Sequence, residues 1–203
     1  MHPYATDSED RKLVPFFLAV FAIGGAFGVA ALLGAIGIEL PWWAPPLDTM
    51  TLYGIFYWLF DRFVWRWSPL HNLGIIKTPN LAGKWKGHVT PIEATGISSG
   101  LATEADVDFV IRQSWQSISV RGTANLSQSH STSGSILMRS EDGTLSYDYI
   151  NEPIACAPAT MQIHRGSAKL SLTKGGTELS GEYYSGRGRQ NIGTLVLKRA
   201  KVA

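Results

Sequence analysis

One stretch limits this chain more than any other. From Leu13 to Ile38 the sequence LVPFFLAVFAIGGAFGVAALLGAIGI carries no charged residue. About 20 apolar residues suffice to cross a bilayer, and this run is longer. A secretory signal has an apolar centre of roughly 7–15 residues followed by a small-residue cleavage site. The run therefore reads as a retained transmembrane helix, with Pro15 near its start, where proline is tolerated.

The following ELPWWAPPLDT breaks the helix with three prolines and places two tryptophans where an interfacial loop would put them. A second apolar run, Met50 to Phe60, is short. It spans only by recruiting Leu47 and the DRFVWRW that follows, with Arg62 and Arg66 snorkelling to the headgroups. An interfacial helix is the alternative. Arg11 and Lys12 precede the first helix and Arg62 and Arg66 close the second, while the loop between carries Glu39 and Asp48 and no Lys or Arg. The positive-inside rule then sets both termini of a multi-pass protein in the cytoplasm. Small residues recur on the first helix. Gly24 and Gly28 form a GxxxG, and Ala26, Ala30 and Gly34 repeat the spacing. Such faces let helices approach closely, within the hairpin or between copies.

After SPLHNLGIIKTPN the pattern changes to period two. Val107, Phe109 and Ile111 share one strand face. So do Ile118 and Val120; Ile136 and Met138; Leu145, Tyr147 and Tyr149; Ala168, Leu170 and Leu172; Leu179, Gly181 and Tyr183; Leu195 and Leu197. With GKWKGHV in front, about eight short strands are expected. The segments EDGT, KGGT, SQSHSTSG and SGRG supply hairpin signals. Evenly spaced antiparallel strands with one apolar face predict a small closed barrel, lipocalin-like but more compact, with a sandwich as the alternative. Eight strands leave an interior that side chains nearly fill, or that holds one small ligand. The expected organisation is a tail at 1–12, a transmembrane hairpin at 13–67, a linker at 68–79 and a cytosolic ligand-binding barrel at 80–203.

The chemistry this chain can do is narrowed by what it carries. From Thr78 to Ala203 there are thirteen Lys or Arg and ten Asp or Glu, a net of +3. That is far from the dense basic face of a DNA or RNA binder. The single cysteine, Cys156, excludes an internal disulfide and is expected to be a small apolar core residue. His88, His130 and His164 lack metal-ligand spacing, Asp106 and Asp108 read as a solvated edge, and no phosphate-cradling P-loop occurs. An enzyme is not expected, nor a cofactor or metal.

The stretch EYYSGRGRQNIG, between the last two strands, points instead to binding. Arg187 and Arg189 alternate with glycines, and an arginine fork suits phosphate oxygens. Tyr183 or Tyr184 could stack on a base. Tyr147, Tyr149, Trp115 and Arg112 are further inward candidates, and Thr194 offers a hydroxyl. Together they form a cationic, aromatic corner for an anionic, ring-bearing ligand. Each also has a plainer account, the tyrosines as core and the arginines as a solvated turn. Trp85 is expected to plug one barrel end.

The GKWKG at Gly83–Gly87 is similar to the G-x-W of lipocalin-like barrels. The ending made by Leu179, Gly181, Tyr183, Arg187, Gly193, Thr194, Leu195, Leu197 and Arg199, with the layout of two helices and a barrel, resembles the membrane effectors of bacterial cyclic-oligonucleotide antiphage signalling (CBASS). That resemblance implies a receptor for a cyclic dinucleotide made by a partner nucleotidyltransferase. It also implies oligomerisation on binding, disruption of the inner membrane and abortive-infection cell death. A membrane-anchored, lipocalin-like carrier or scaffold for an apolar ligand is the competing expectation.

Overall fold

The computed structural model describes residues 1–42, 44–92, 105–138, 143–158, 161–173, 175–186 and 192–200, without the side chains of residues 45–47. The chain divides into two compact units, Ser8–Lys77 and a discontinuous one made of Met1–Asp7 with Thr78–Ala203.

In the first unit α1 runs from Asp10 to Ala35 and α2 from Ala44 to Arg62. A single 3-10 turn at Val64–Arg66 and a short α3 at Ser68–Asn72 follow. At 1.5 Å per residue α1 is about 39 Å long, more than the ~30 Å hydrocarbon core. Among the described residues it is the one helix long and apolar enough to cross a membrane. α1 begins three residues before the charge-free run, so Pro15 lies inside the helix, where it removes one amide donor. α2 packs along α1: a Cβ on Gly25 would sit 3.4 Å from Leu52 Cδ1. Ala22 and Ala26, on the same side of α1 as Gly25, are buried and Ala30 is half-buried. Gly24, Gly28 and Gly34 meet nothing within 4 Å. The expected packing face thus separates into an alanine row used within the unit and an open Gly24–Gly28 pair, while Gly34, on the Ala26–Ala30 row, is also open.

The second unit is a closed barrel. Strands β3 (Gly83–Ile92), β4 (Ala105–Gln113), β5 (Ser117–Ala124), β6 (Ser127–Leu137), β7 (Thr144–Pro153), β8 (His164–Leu172), β9 (Glu178–Ser185) and β10 (Ile192–Arg199) follow one another antiparallel. Pairing of β10 with β3 and of β5 with β6 closes the ring. The inward faces named from period two are the ones buried here. Phe109, Ile118, Leu145, Leu170, Leu179 and Leu197 belong to one core cluster.

Three expectations change. SQSHSTSG is not a turn but the greater part of β6, from Ser127 to Gly134; the turn falls just before it, after Ala124. Residues 1–12 are not a free tail: β1 (His2–Pro3) pairs with β5 and β2 (Ala5–Thr6) pairs in parallel with β6. Cys156 is exposed rather than in the core, because the β7–β8 connection that carries it lies outside the period-two strands.

Candidate functional site

The two ends of the barrel differ in what closes them. Trp85 is fully buried at one end, and its indole N–H donates to the Leu81 carbonyl at 2.9 Å. The Arg199 guanidinium lies 4.6 Å over the Trp85 ring and donates to the carbonyls of Ala82 (3.2 Å) and Asn80 (2.6 Å). Partial burial presses its pKa below the ordinary range; the ring face and two carbonyls compensate the buried charge. Gln113 accepts the Leu81 amide at 2.7 Å and donates to the Pro79 carbonyl at 3.1 Å. This end is sealed, as the reading of Trp85 anticipates.

The other end is hollow. A cavity of about 200 Å³ opens among Val89, Val107, Phe109, Leu195 and the rings of Tyr147, Tyr149 and Tyr183. Its polar lining is Ser127, Ser129, Asn151, His164 and Ser185. Asn151 and Ser185 are buried polar residues, so the open end carries hydrogen-bonding groups in a place that costs free energy unless they are used.

The rings are placed by a simple device. Each of the four aromatics lining the cavity has a glycine opposite it on a neighbouring strand: Phe109 opposite Gly122, Tyr147 opposite Gly134, Tyr149 opposite Gly166, Tyr183 opposite Gly193. A Cβ on Gly166 would lie 2.5 Å from Tyr149 Cζ, and one on Gly193 2.5 Å from Tyr183 Cε1. No residue with a Cβ fits under these rings without moving them. Alternating large and small partners is how a narrow barrel fills its bore. Tyr147 and Tyr149 lie 6.1 Å apart, tilted by 49°. Tyr147 is 5 % exposed, and burial, with Tyr149 adding to it, raises its phenol far above the usual range, so it stays neutral.

Of the residues named from sequence, the fold brings together Tyr147, Tyr149 and Tyr183. Tyr184 points outward, 49 % exposed, because it is one residue out of phase with Tyr183. Thr194 is outward by the same alternation, its hydroxyl 3.5 Å from the Thr90 carbonyl. Arg112, exposed, and Trp115, buried, fall at or beyond the sealed end of β4. None of these four lines the cavity. Arg187 and Arg189 lie outside the described residues. β9 and β10, which flank them in sequence, end and begin at the open end.

Phe109, Ser127, Ser129, Asn151, His164 and Ser185 escape the sequence reading. A signal exists for two: Asn151 continues the period-two series Tyr147–Tyr149, and His164 is its register partner on β8. A larger hollow of about 630 Å³ lies on the outer wall, among residues such as Ser133, Ser146, Ser167 and Tyr184. Its lining is mostly outward side chains, joined by Tyr147, Ala168 and Tyr183, whereas the interior cavity has convergent rings and buried polar groups. The described residues hold no cluster of His, Cys, Asp and Glu fit for a metal.

An apolar helix joined to a small barrel that is sealed at one end and open at the other defines a membrane-associated binding protein. Two family models match it. Residues 76–199 match the Cap15 cyclic dinucleotide receptor domain and residues 12–66 the Cap15 TM helices. CD-NTase-associated protein 15 of Yersinia aleksiciae is 28% identical over 153 residues, covering 74% of this chain and 68% of that protein. The chain belongs to the Cap15 family, the CBASS membrane effectors with a β-barrel receptor domain and transmembrane helices.

Proposed function

We propose that the barrel binds a cyclic dinucleotide at its open end, and that binding drives self-association of the membrane helices and disruption of the inner membrane. The observation that carries this reading is that the receptor-domain match, residues 76–199, coincides with a barrel whose open end gathers three tyrosines around buried polar groups. A drug-sized ligand usually occupies about 300–1,000 Å³, so the ≈ 200 Å³ cavity takes one base rather than the whole ring. The base stacks among Tyr147, Tyr149 and Tyr183 and is read by Asn151, His164 and the serines. The sugar–phosphate ring stays at the mouth, and Arg187 and Arg189 neutralise its phosphates. Thr194 and Tyr184 take no part.

A nucleotidyltransferase makes the ligand in this scheme, and infected cells die before phage mature. The protein crosses the inner membrane with both helices, both termini are cytoplasmic, and the chain catalyses nothing. The open pair Gly24 and Gly28 is the contact between copies.

Titration of the full chain in detergent with labelled cyclic dinucleotides tests the receptor. Arg187→Ala should weaken binding at least tenfold at an unchanged melting temperature; unchanged affinity removes the arginines from the site. For the effector step, Gly24→Leu with Gly28→Leu should abolish ligand-dependent vesicle leakage while binding persists. Undiminished leakage would assign assembly to another surface.

A further inference from the structure

The first seven residues are part of the barrel wall, and their position is more specific than a tail requires. β5 and β6 pair directly only where Arg121–Ala124 meets Ser127–His130. Towards the sealed end the two strands separate, at a bulge between Ser131 and Ser133, and the N-terminal segment fills the seam. His2 and Pro3 pair with Ile118 and Ser117, while Ala5 and Thr6 pair with Ser135 and Ile136. Tyr4 is buried in the barrel's core cluster.

We propose that residues 2–7 are a latch that couples the state of the open-end cavity to α1. The coupling to ligand rests on the receptor reading above; the latch itself rests on contacts. At one end it meets β6 beside the strand that carries the cavity tyrosines. His2 Nδ1 donates to the Pro3 carbonyl at 3.0 Å, so in the neutral ring Nε2 accepts the Ser131 hydroxyl at 2.7 Å. The same Ser131 oxygen accepts the Val120 amide at 2.9 Å. Ser131 and Gly134 stand opposite Tyr149 and Tyr147, the cavity tyrosines of β7. A Cβ on Gly134 would lie 3.5 Å from His2 Cε1. His2 is thus one strand away from the backbone of both tyrosines.

At its other end the latch leads into the membrane helix. Asp7 Oδ1 accepts the Met138 amide at 2.7 Å, and α1 begins at Asp10. Only Ser8 and Glu9 intervene, so a two-residue link joins the latch to α1. The segment is held by two two-residue ladders and a few side-chain bonds, so opening it is a local event well below the cost of unfolding the barrel. A seated latch holds the β6 bulge against Tyr149; a bound ligand that orders Tyr149 seats the latch. The two affinities shift by the same factor, as linkage requires.

The test is amide hydrogen exchange on the full chain in detergent micelles. Val120 and Met138 report the latch, and Leu195 and Leu197 on the opposite wall serve as controls. Without any ligand, Tyr149→Ala should speed exchange at Met138 about tenfold with the controls unmoved. No change at Met138, or equal acceleration at Leu195 and Leu197, overturns the latch whether or not a nucleotide binds. With purine and pyrimidine cyclic dinucleotides added to the wild type, Met138 exchange should slow about fivefold, and Asp7→Ala should lose about fivefold in affinity. Measurable binding that Asp7→Ala leaves unaltered overturns it as well. If none of these nucleotides binds while Tyr149→Ala still moves Met138, the ligand reading falls and the latch stands.

Discussion

The sealed and open ends of this barrel are built from the same eight strands, yet they solve opposite problems. At the sealed end large side chains meet large side chains, and the polar side chains named there bond within the chain: Trp85 to Leu81, the two Arg199 Nη atoms to Ala82 and Asn80, Gln113 to Leu81 and Pro79. At the open end glycines face aromatics, a hollow is left, and buried Asn151 and Ser185 line it. The difference teaches where binding capacity comes from. An eight-stranded bore has little room to spare, and here Gly122, Gly166 and Gly193, on three strands, make the room that the rings of Phe109, Tyr149 and Tyr183 need.

This contrast can be broken at the sealed end first. Trp85→Ala removes a fully buried indole and the ring beneath Arg199, and should cost about 3–5 kcal/mol of barrel stability, read from denaturant unfolding of the full chain. A cost under about 1 kcal/mol would mean the seal is not where the stability resides. At the open end, Tyr149→Phe keeps the ring and removes the hydroxyl, which donates to the Tyr184 carbonyl at 3.5 Å, and should cost about 1 kcal/mol. Equal losses at the two ends would erase the distinction.

Alkaline titration sharpens the comparison further. Burial raises the Tyr147 phenol in the folded barrel above its ordinary value near 10. The unfolded chain therefore releases that proton first. Stability from this group is complete below about pH 10 and is lost as pH rises above it, by up to about 1.4 kcal/mol per unit. Tyr147→Phe should flatten that decline; an unaltered slope would place the alkaline sensitivity elsewhere.

Much of this architecture is legible in the sequence because burial writes a period. The long apolar run becomes α1, and the alternating faces from Val107 to Leu197 become the interior of a closed barrel. What escapes is what burial does not mark. β6 is written SQSHSTSG, with serines on both faces, and reads as a turn; it is a strand because its inward serines line a polar hollow and its backbone is paired on both sides. The N-terminal segment is too short to show any period, so its place in the β5–β6 seam is set by tertiary pairing alone. Within the site, Tyr183 and Tyr184 are equivalent by composition and differ only in phase. Arg112 and Trp115 look like neighbours of the ligand until β4 is given a direction, which carries them away from the cavity. The pairing of each ring with a glycine needs the strand register, which no single strand contains.

The adjacent tyrosines of β9 therefore provide the most direct test. Tyr183 lines the interior cavity and also borders the outer hollow, whereas Tyr184 lines only the outer hollows. Cyclic dinucleotide affinity should be measured on the full chain for Tyr183→Ala and Tyr184→Ala. Binding inside the open end predicts a loss of about 1–3 kcal/mol, roughly tenfold to a hundredfold, for Tyr183→Ala, and an affinity close to wild type for Tyr184→Ala. The reverse pattern, with Tyr184 essential and Tyr183 dispensable, would move the ligand to the outer wall and contradict the account.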